Sequence, residues 1–253
     1  MPNTITAIGI GGLPEIGPGA PLGDLLQQAC RTQGTPIQQD DVIVVTQKIV
    51  SKAEGRVVDL STVFPSKEAM SFANAWEKDA RVVELALRES VRVLRMEAGV
   101  LITETKHGFV CANSGVDSSN AGDSTRELAV LLPADPDASA AQIRERIAAV
   151  TGSTVGVIIS DTFGRPWREG AIDVAIGVAG IDPIVDYRGA ADTDGRLMHS
   201  TTIAIVDEIA AVAEMVTRKV DQVPAAIVRG LSYTDGKMGI KSIIRSHEKD
   251  LFR

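Results

Sequence analysis

Two short segments set carboxylates among small polar neighbours: Asn-Ser-Gly-Val-Asp-Ser-Ser-Asn (113–120) and Ile-Ile-Ser-Asp-Thr-Phe-Gly-Arg (158–165). Carboxylate oxygens beside hydroxyls and amides make the hard-donor environment that ions such as Mg²⁺ prefer. Val155 to Ser160 is apolar and of strand length, which places Asp161 and Thr162 in a loop at its C-terminal end. Asp117 follows a second strand candidate, Phe109 to Ala112. Ligands of open α/β sheets gather at the carboxyl ends of strands, so two such loops could share metal and hold a nucleoside triphosphate. Asp, Asn, Ser and Gly are also ordinary turn formers. Spacing alone leaves both readings open.

Further polar groups stand at other expected strand ends. Leu13-Pro14-Glu15-Ile16 is a rigid breaker loop after Ile5–Ile10, and Thr46–Lys52 sets Lys48 and Lys52 beyond the β-branched run 41–46. Those lysines suit phosphate, but solvated surface cations read the same way. Arg165, Trp167 and Arg168 follow the second acidic loop. They are candidates for an anionic, stacking substrate, with packing and surface pairing as the alternative. His107 beside Gly108 reads as an exposed turn residue, and His199 and His247 carry no partner motif.

The elements that must position these groups are legible in outline. Strands are expected at 5–10, 41–46, 100–103, 109–112, 155–160, 200–206 and 224–229 from apolar and β-branched content. Helices are expected at 21–31, from Ser66 toward Glu97 with a break, after Pro136 with Ser139 and Gln142 as a capping box, and at 207–219. Asp207-Glu208 and Asp135/Asp137 read as helix-opening acids. Strands and helices alternate irregularly, which predicts an α/β (α+β) fold of mixed sheets with flanking helices. No repeat, linker or low-complexity tract divides residues 1–253, so one domain is expected.

Composition excludes several classes. A formal charge of −7 argues against a nucleic-acid partner, and an anionic substrate would need locally concentrated cations or metal ions. The chain is 44% apolar but only 4% aromatic, so its core must be built from Ala, Val, Ile and Leu. No apolar stretch approaches the ~18 residues of a membrane span. Cys30 and Cys111 match no metal-ligand spacing and read as buried thiols of a reducing compartment. With an N-terminus unlike a signal peptide, these features point to a cytoplasmic protein.

Taken together and in this order, Leu13–Ile16, Thr46–Lys52, Asp117–Asn120, Ser160–Arg165 and Val228-Arg229-Gly230 resemble the coenzyme F420-0:L-glutamate ligase family, the F420 γ-glutamyl ligases, in single-domain form. The resemblance spans nearly the whole chain. It implies a GTP-dependent ligase that adds L-glutamate to F420-0 through an acyl phosphate, then a further glutamate by γ-linkage. It also implies an intertwined homodimer with Mg²⁺ or Mn²⁺, two divalent ions, assisted by K⁺. Asp117 and Asp161 match the positions that hold a first metal ion, and Thr162 a ligand of a second. Leu13, Pro14, Glu15, Ile16, Gln47, Lys52 and Asn120 match nucleotide-contacting positions. Gln47 stands where the family often has Ser. Residues 215–222, Met-Val-Thr-Arg-Lys-Val-Asp-Gln, replace a glycine-rich nucleotide-contacting stretch. A related amide ligase with another acid or amino acid, or a non-catalytic nucleotide- or F420-binding protein, are the alternatives; a binder would not need Asp117, Asp161, Thr162 and Lys52 together.

Overall fold

The structure is a computed structural model that describes residues 4–118 and 127–251. In chain order the elements are β1 (Thr6–Ile10), α1 (Leu22–Thr32), β2 (Val42–Thr46), α2 (Gln47–Ala53), β3 (Val57–Asp59), α3 (Lys67–Trp76), α4 (Ala80–Glu89), β4 (Ser90–Glu97), β5 (Val100–Thr105), β6 (Val110–Ala112), β7 (Leu128–Val130), α5 (Pro136–Thr151), β8 (Gly156–Arg165), β9 (Arg168–Ala179), β10 (Val185–Asp186), β11 (Thr202–Ile203), α6 (Ile205–Thr217) and β12 (Ala225–Arg229). The mixed α/β class read from the sequence is what the chain adopts.

The main sheet has the order β1-β12-β2-β8-β9, in which only β2 and β8 run parallel. Val42 to Val45 are buried at every position, as a strand covered on both faces requires. Helices α1, α5 and α6 supply that cover through Leu26, Ile143, Ile147, Val206 and Ile209, in one aliphatic core. A second core, around Leu60, Phe72, Leu85 and Leu101, joins α3 and α4 to the smaller sheets β3-β7 and β4-β5-β6.

Several expectations are corrected. The helix expected to run toward Glu97 ends at Glu89, and residues 90–97 form a strand paired with β5. Val91 and Val93 in it are exposed, so their β-branched preference for a pleated surface prevails over helical spacing. Helix α5 is capped by Asp135, whose carboxylate accepts from Ala138 N, and not by Ser139. Ser139 instead donates to Glu54 Oε1 at 2.5 Å. Of the strand expected at 200–206 only Thr202–Ile203 forms, and α6 begins at Ile205. His107 is half-buried rather than an exposed turn residue, with Nε2 2.9 Å from Pro133 O and its ring stacked on Phe109. Among the described residues no helix is long and apolar enough to cross a membrane.

Candidate active site

The parallel pair β2/β8 ends with Thr46 opposite Ser160. Beyond that point β2 turns into α2, while β8 runs on against β9 as a two-stranded ribbon. Asp161 and Thr162 therefore lie in a strand and not in a loop, one step past the carboxyl end of the pair. A register shift between Ile159 and Ser160 re-aims the ribbon here, as bulges beside active sites do. Thr162 faces Asp173 across the ladder, and its hydroxyl donates to Asp173 Oδ1 at 2.6 Å. Ser160 Oγ donates to the other Asp173 oxygen at 3.1 Å.

Asp117 arrives from the second core. Asn113, Ser114 and Gly115 all have φ near +50 to +70°, a conformation costly for the first two. Burial of Ser114 holds this turn: its Oγ donates to Ala86 O at 2.7 Å and its N–H to Thr103 Oγ1 at 3.0 Å. Asp117 then pairs with Val130 through backbone bonds of 3.0 and 2.7 Å, and its carboxylate meets Lys48 Nζ at 2.7 Å.

A cavity of about 1470 Å³ lies between the two cores. It gathers Leu13, Pro14, Glu15 and Ile16, Gln47 and Lys52, Asp117, Asp161 and Thr162. The nine belong to four separate stretches of sequence. Asn120 lies outside the described residues. Arg165, Trp167 and Arg168 do not line the cavity; they sit exposed at the far end of the β8–β9 ribbon. Lys52 is buried and donates to Glu15 Oε1 at 2.6 Å. Gln47 donates from Nε2 to Ser51 Oγ and Leu131 O at 2.6 and 3.0 Å, so that amide is engaged in holding α2 to the segment just after β7.

Sequence reasoning missed Asp173 and Lys219. Asp173 is only 4% exposed, and its signal was a single carboxylate inside the small, apolar run Ala171–Gly180. Lys219, just beyond α6, contacts Thr162 Oγ1, Asp173 Oδ1 at 3.1 Å and Glu214 Oε1 at 3.2 Å. Burial works against its charge, but the Asp173 and Glu214 carboxylates outweigh it and raise the lysine above its ordinary range. Asp161 is pushed up to about 7, chiefly by burial and further by the charges of Asp173 and Asp117. A carboxyl so raised gains from a neighbouring cation.

The donors fit a hard divalent ion. Asp117 and Asp161 offer oxygen only, while the hydroxyl of Thr162 is already engaged by Asp173 and the Lys219 ammonium. Among the described residues no three His, Cys, Asp or Glu side chains form a ready-made ligand set. The remaining coordination would then come from water or substrate oxygens, the usual habit of Mg²⁺.

The family described as F420-0:Gamma-glutamyl ligase matches residues 11–230, which include every cavity-lining candidate. The chain belongs to this family. It is 43% identical over 254 residues to a coenzyme F420:L-glutamate ligase of Methanothermobacter thermautotrophicus, covering 98% of this chain and 99% of that one. The corresponding protein of Methanocaldococcus jannaschii is 44% identical over 219 residues, 86% of each chain. That of Methanopyrus kandleri is 40% identical over 244 residues, 94% of each. Family membership thus extends across both cores and the cavity between them.

Proposed function

We propose that this chain joins L-glutamate to the carboxyl group of the coenzyme precursor F420-0 at the expense of GTP, and adds a further glutamate through its γ-carboxyl. The observation that carries this reading is the cavity itself. At about 1470 Å³ it exceeds the ~300–1,000 Å³ of a typical single-ligand site, and it combines an acidic, hydroxyl-bearing cluster with a buried lysine. That combination suits a triphosphate and an acceptor acid held side by side.

The chemistry follows from the weak electrophilicity of a carboxylate. One of its oxygens attacks the γ-phosphorus of GTP, the bond to the β–γ bridging oxygen breaks, and GDP departs. The glutamate amine then attacks the acyl carbon, phosphate leaves with the C–O electron pair, and the nitrogen gives up a proton to complete the amide. Phosphoryl transfer asks the protein mostly for positioning and charge neutralisation. Lys52 Nζ, at the cavity wall, neutralises phosphate oxygen, and the Leu13–Ile16 loop shapes the nucleotide pocket. Asp117 and Asp161 would hold Mg²⁺ or Mn²⁺, which when bound neutralises charge on the transferring phosphoryl group.

The reading includes a homodimer, supported by Val91, Val93, Val100 and Val110, which stand exposed on one small sheet; light scattering reports it. Mass spectrometry of F420-0 incubated with enzyme, GTP, Mn²⁺ and L-glutamate tests the reaction. Product masses rising in glutamyl steps support it, and unchanged F420-0 refutes it.

A further inference from the structure

Beyond the C-terminus of α6 the backbone turns sharply. Arg218 has φ 52° and ψ 179°, a region that is essentially glycine's alone, and Gln222 has φ 56°. Strain at residues with side chains persists where the surroundings over-determine it. Here the turn delivers Lys219 to the acidic cluster, next to a helix C-terminus, where positive charge is favoured.

The oxygens that Lys219 meets have few lone pairs left for another ion. Asp173 Oδ1 accepts from Thr162 Oγ1 at 2.6 Å and from Lys219 Nζ at 3.1 Å, and Oδ2 accepts from Ser160 Oγ at 3.1 Å. Thr162 Oγ1 gives its proton to Asp173 and is itself contacted by Lys219. Glu214 divides its carboxylate between Lys219 and Asp173 N. A buried carboxylate such as Asp173 requires a counter-charge, and this one has it within the chain. Asp161 differs: among the described residues no cation lies within ion-pair distance of it.

We propose that Lys219 is a resident cation of this site, whose ammonium holds the position formed by Thr162, Asp173 and Glu214 against divalent ions and confines them to the side of Asp117 and Asp161. Thr162 then serves the lysine rather than a second metal ion. The inference rests on the ligase reading only for the choice of Mn²⁺ as the ion, because the competition is set by geometry within one protomer.

Titration of the full-length protein with Mn²⁺ alone, followed by the electron paramagnetic resonance signal of free Mn²⁺, tests it without nucleotide or acceptor. Lys219→Met keeps the stem of a side chain that is 58% exposed. It is expected to bind one more Mn²⁺ per protomer than the wild type, or to bind at about tenfold lower concentration, once a like charge at contact distance is gone. Lys219→Arg retains the cation and is expected to follow the wild-type curve. Adding Asp173→Asn to Lys219→Met is expected to abolish the gain. A Lys219→Met isotherm that superimposes on wild type, a gain in Lys219→Arg equal to that of the methionine variant, or a gain that survives Asp173→Asn would each overturn the proposal. Failure of glutamate ligation would leave these isotherms, and the conclusion drawn from them, unaffected.

Discussion

Lys52 donates from Nζ to Glu15 Oε1 at 2.6 Å, tying helix α2 to the loop after β1 across the cavity wall. The two partners are unequal, since the lysine side chain is 11% exposed and the glutamate 76%. The buried lysine is thus a fixed positive charge with a releasable partner. The proposed ligation would have Glu15 swing into solvent as phosphate arrives, so that the ion pair keeps the site charged without filling it permanently.

The first expected outcome concerns that lysine. Lys52→Ala should weaken GTP binding by about tenfold or more, the scale of a lost hydrogen bond to a charged group at ~1.5–3 kcal/mol. Lys48→Ala should matter less, because Lys48 Nζ is engaged with Asp117 at 2.7 Å. Isothermal titration with a non-hydrolysable GTP analogue ranks the two. The reverse order would place the nucleotide on the Lys48 side.

Asp161 carries the second. Its carboxyl is raised to about 7 by burial and by Asp173 and Asp117, so the folded chain gains little from keeping it charged. Asp161→Ala should therefore leave thermal stability near wild type while ligation falls by more than about a hundredfold, beyond the 10–100-fold typical of residues that only support a metal ligand. Near-normal turnover at saturating Mn²⁺ would remove Asp161 from the site.

The sequence carried much of this, and its failures have physical causes. The strands at 42–46 and 225–229 and the Ser66 cap announced themselves through β-branched runs and a hydroxyl before a helix. The segments 13–16 and 47–52 were placed at the ends of β1 and β2, but that the second of them is a helix, α2, did not show in its polar composition. Asp161 was assigned to a loop because its polarity ended an apolar run; the antiparallel partner β9, which sets Val174 opposite Asp161, was invisible to a local pattern. Asp173 and Lys219 were missed for a related reason. Their roles exist only through contacts between β8, β9 and the turn after α6, which no spacing along one segment encodes. Residues 90–97 deceived in the other direction, since Val and Leu on an exposed strand repeat the apolar content of a helix.

Packing between helix and sheet supplies a third test. A Cβ on Gly177 would stand 2.5 Å from the carbonyl carbon and oxygen of Pro136, in the first turn of α5. Backbone at that position cannot yield without moving the helix. Gly177→Ala should cost about 1–3 kcal/mol, the usual scale of overpacking. Gly164→Ala, where a Cβ meets nothing within 4 Å, should be neutral or slightly stabilising. Denaturant melts of the two variants give the comparison, and equal midpoints would mean that the α5–β9 contact is looser than it stands here.

The last concerns Asp207, in the first turn of α6. The sequence suggested a carboxylate placed for the helix dipole, and the structure adds a second partner: Asp207 Oδ1 accepts from Ala175 N at 2.9 Å, joining the helix to β9. Burial raises its carboxyl above the ordinary value of 3.8, and the Ala175 bond only partly opposes this. The sign then follows. A carboxyl whose folded value lies above its unfolded one binds its proton more tightly in the native state, so the wild type loses stability as pH rises from 3.8 through the folded value. Asn at this position keeps an oxygen for Ala175 N and never ionises. Asp207→Asn should therefore be as stable as wild type or more so at pH 7, by up to about 1 kcal/mol, with the advantage fading toward pH 4. Thermal melts at both values decide the matter. A variant less stable than wild type at neutral pH would show that the charge at the helix start outweighs the burial of the carboxylate.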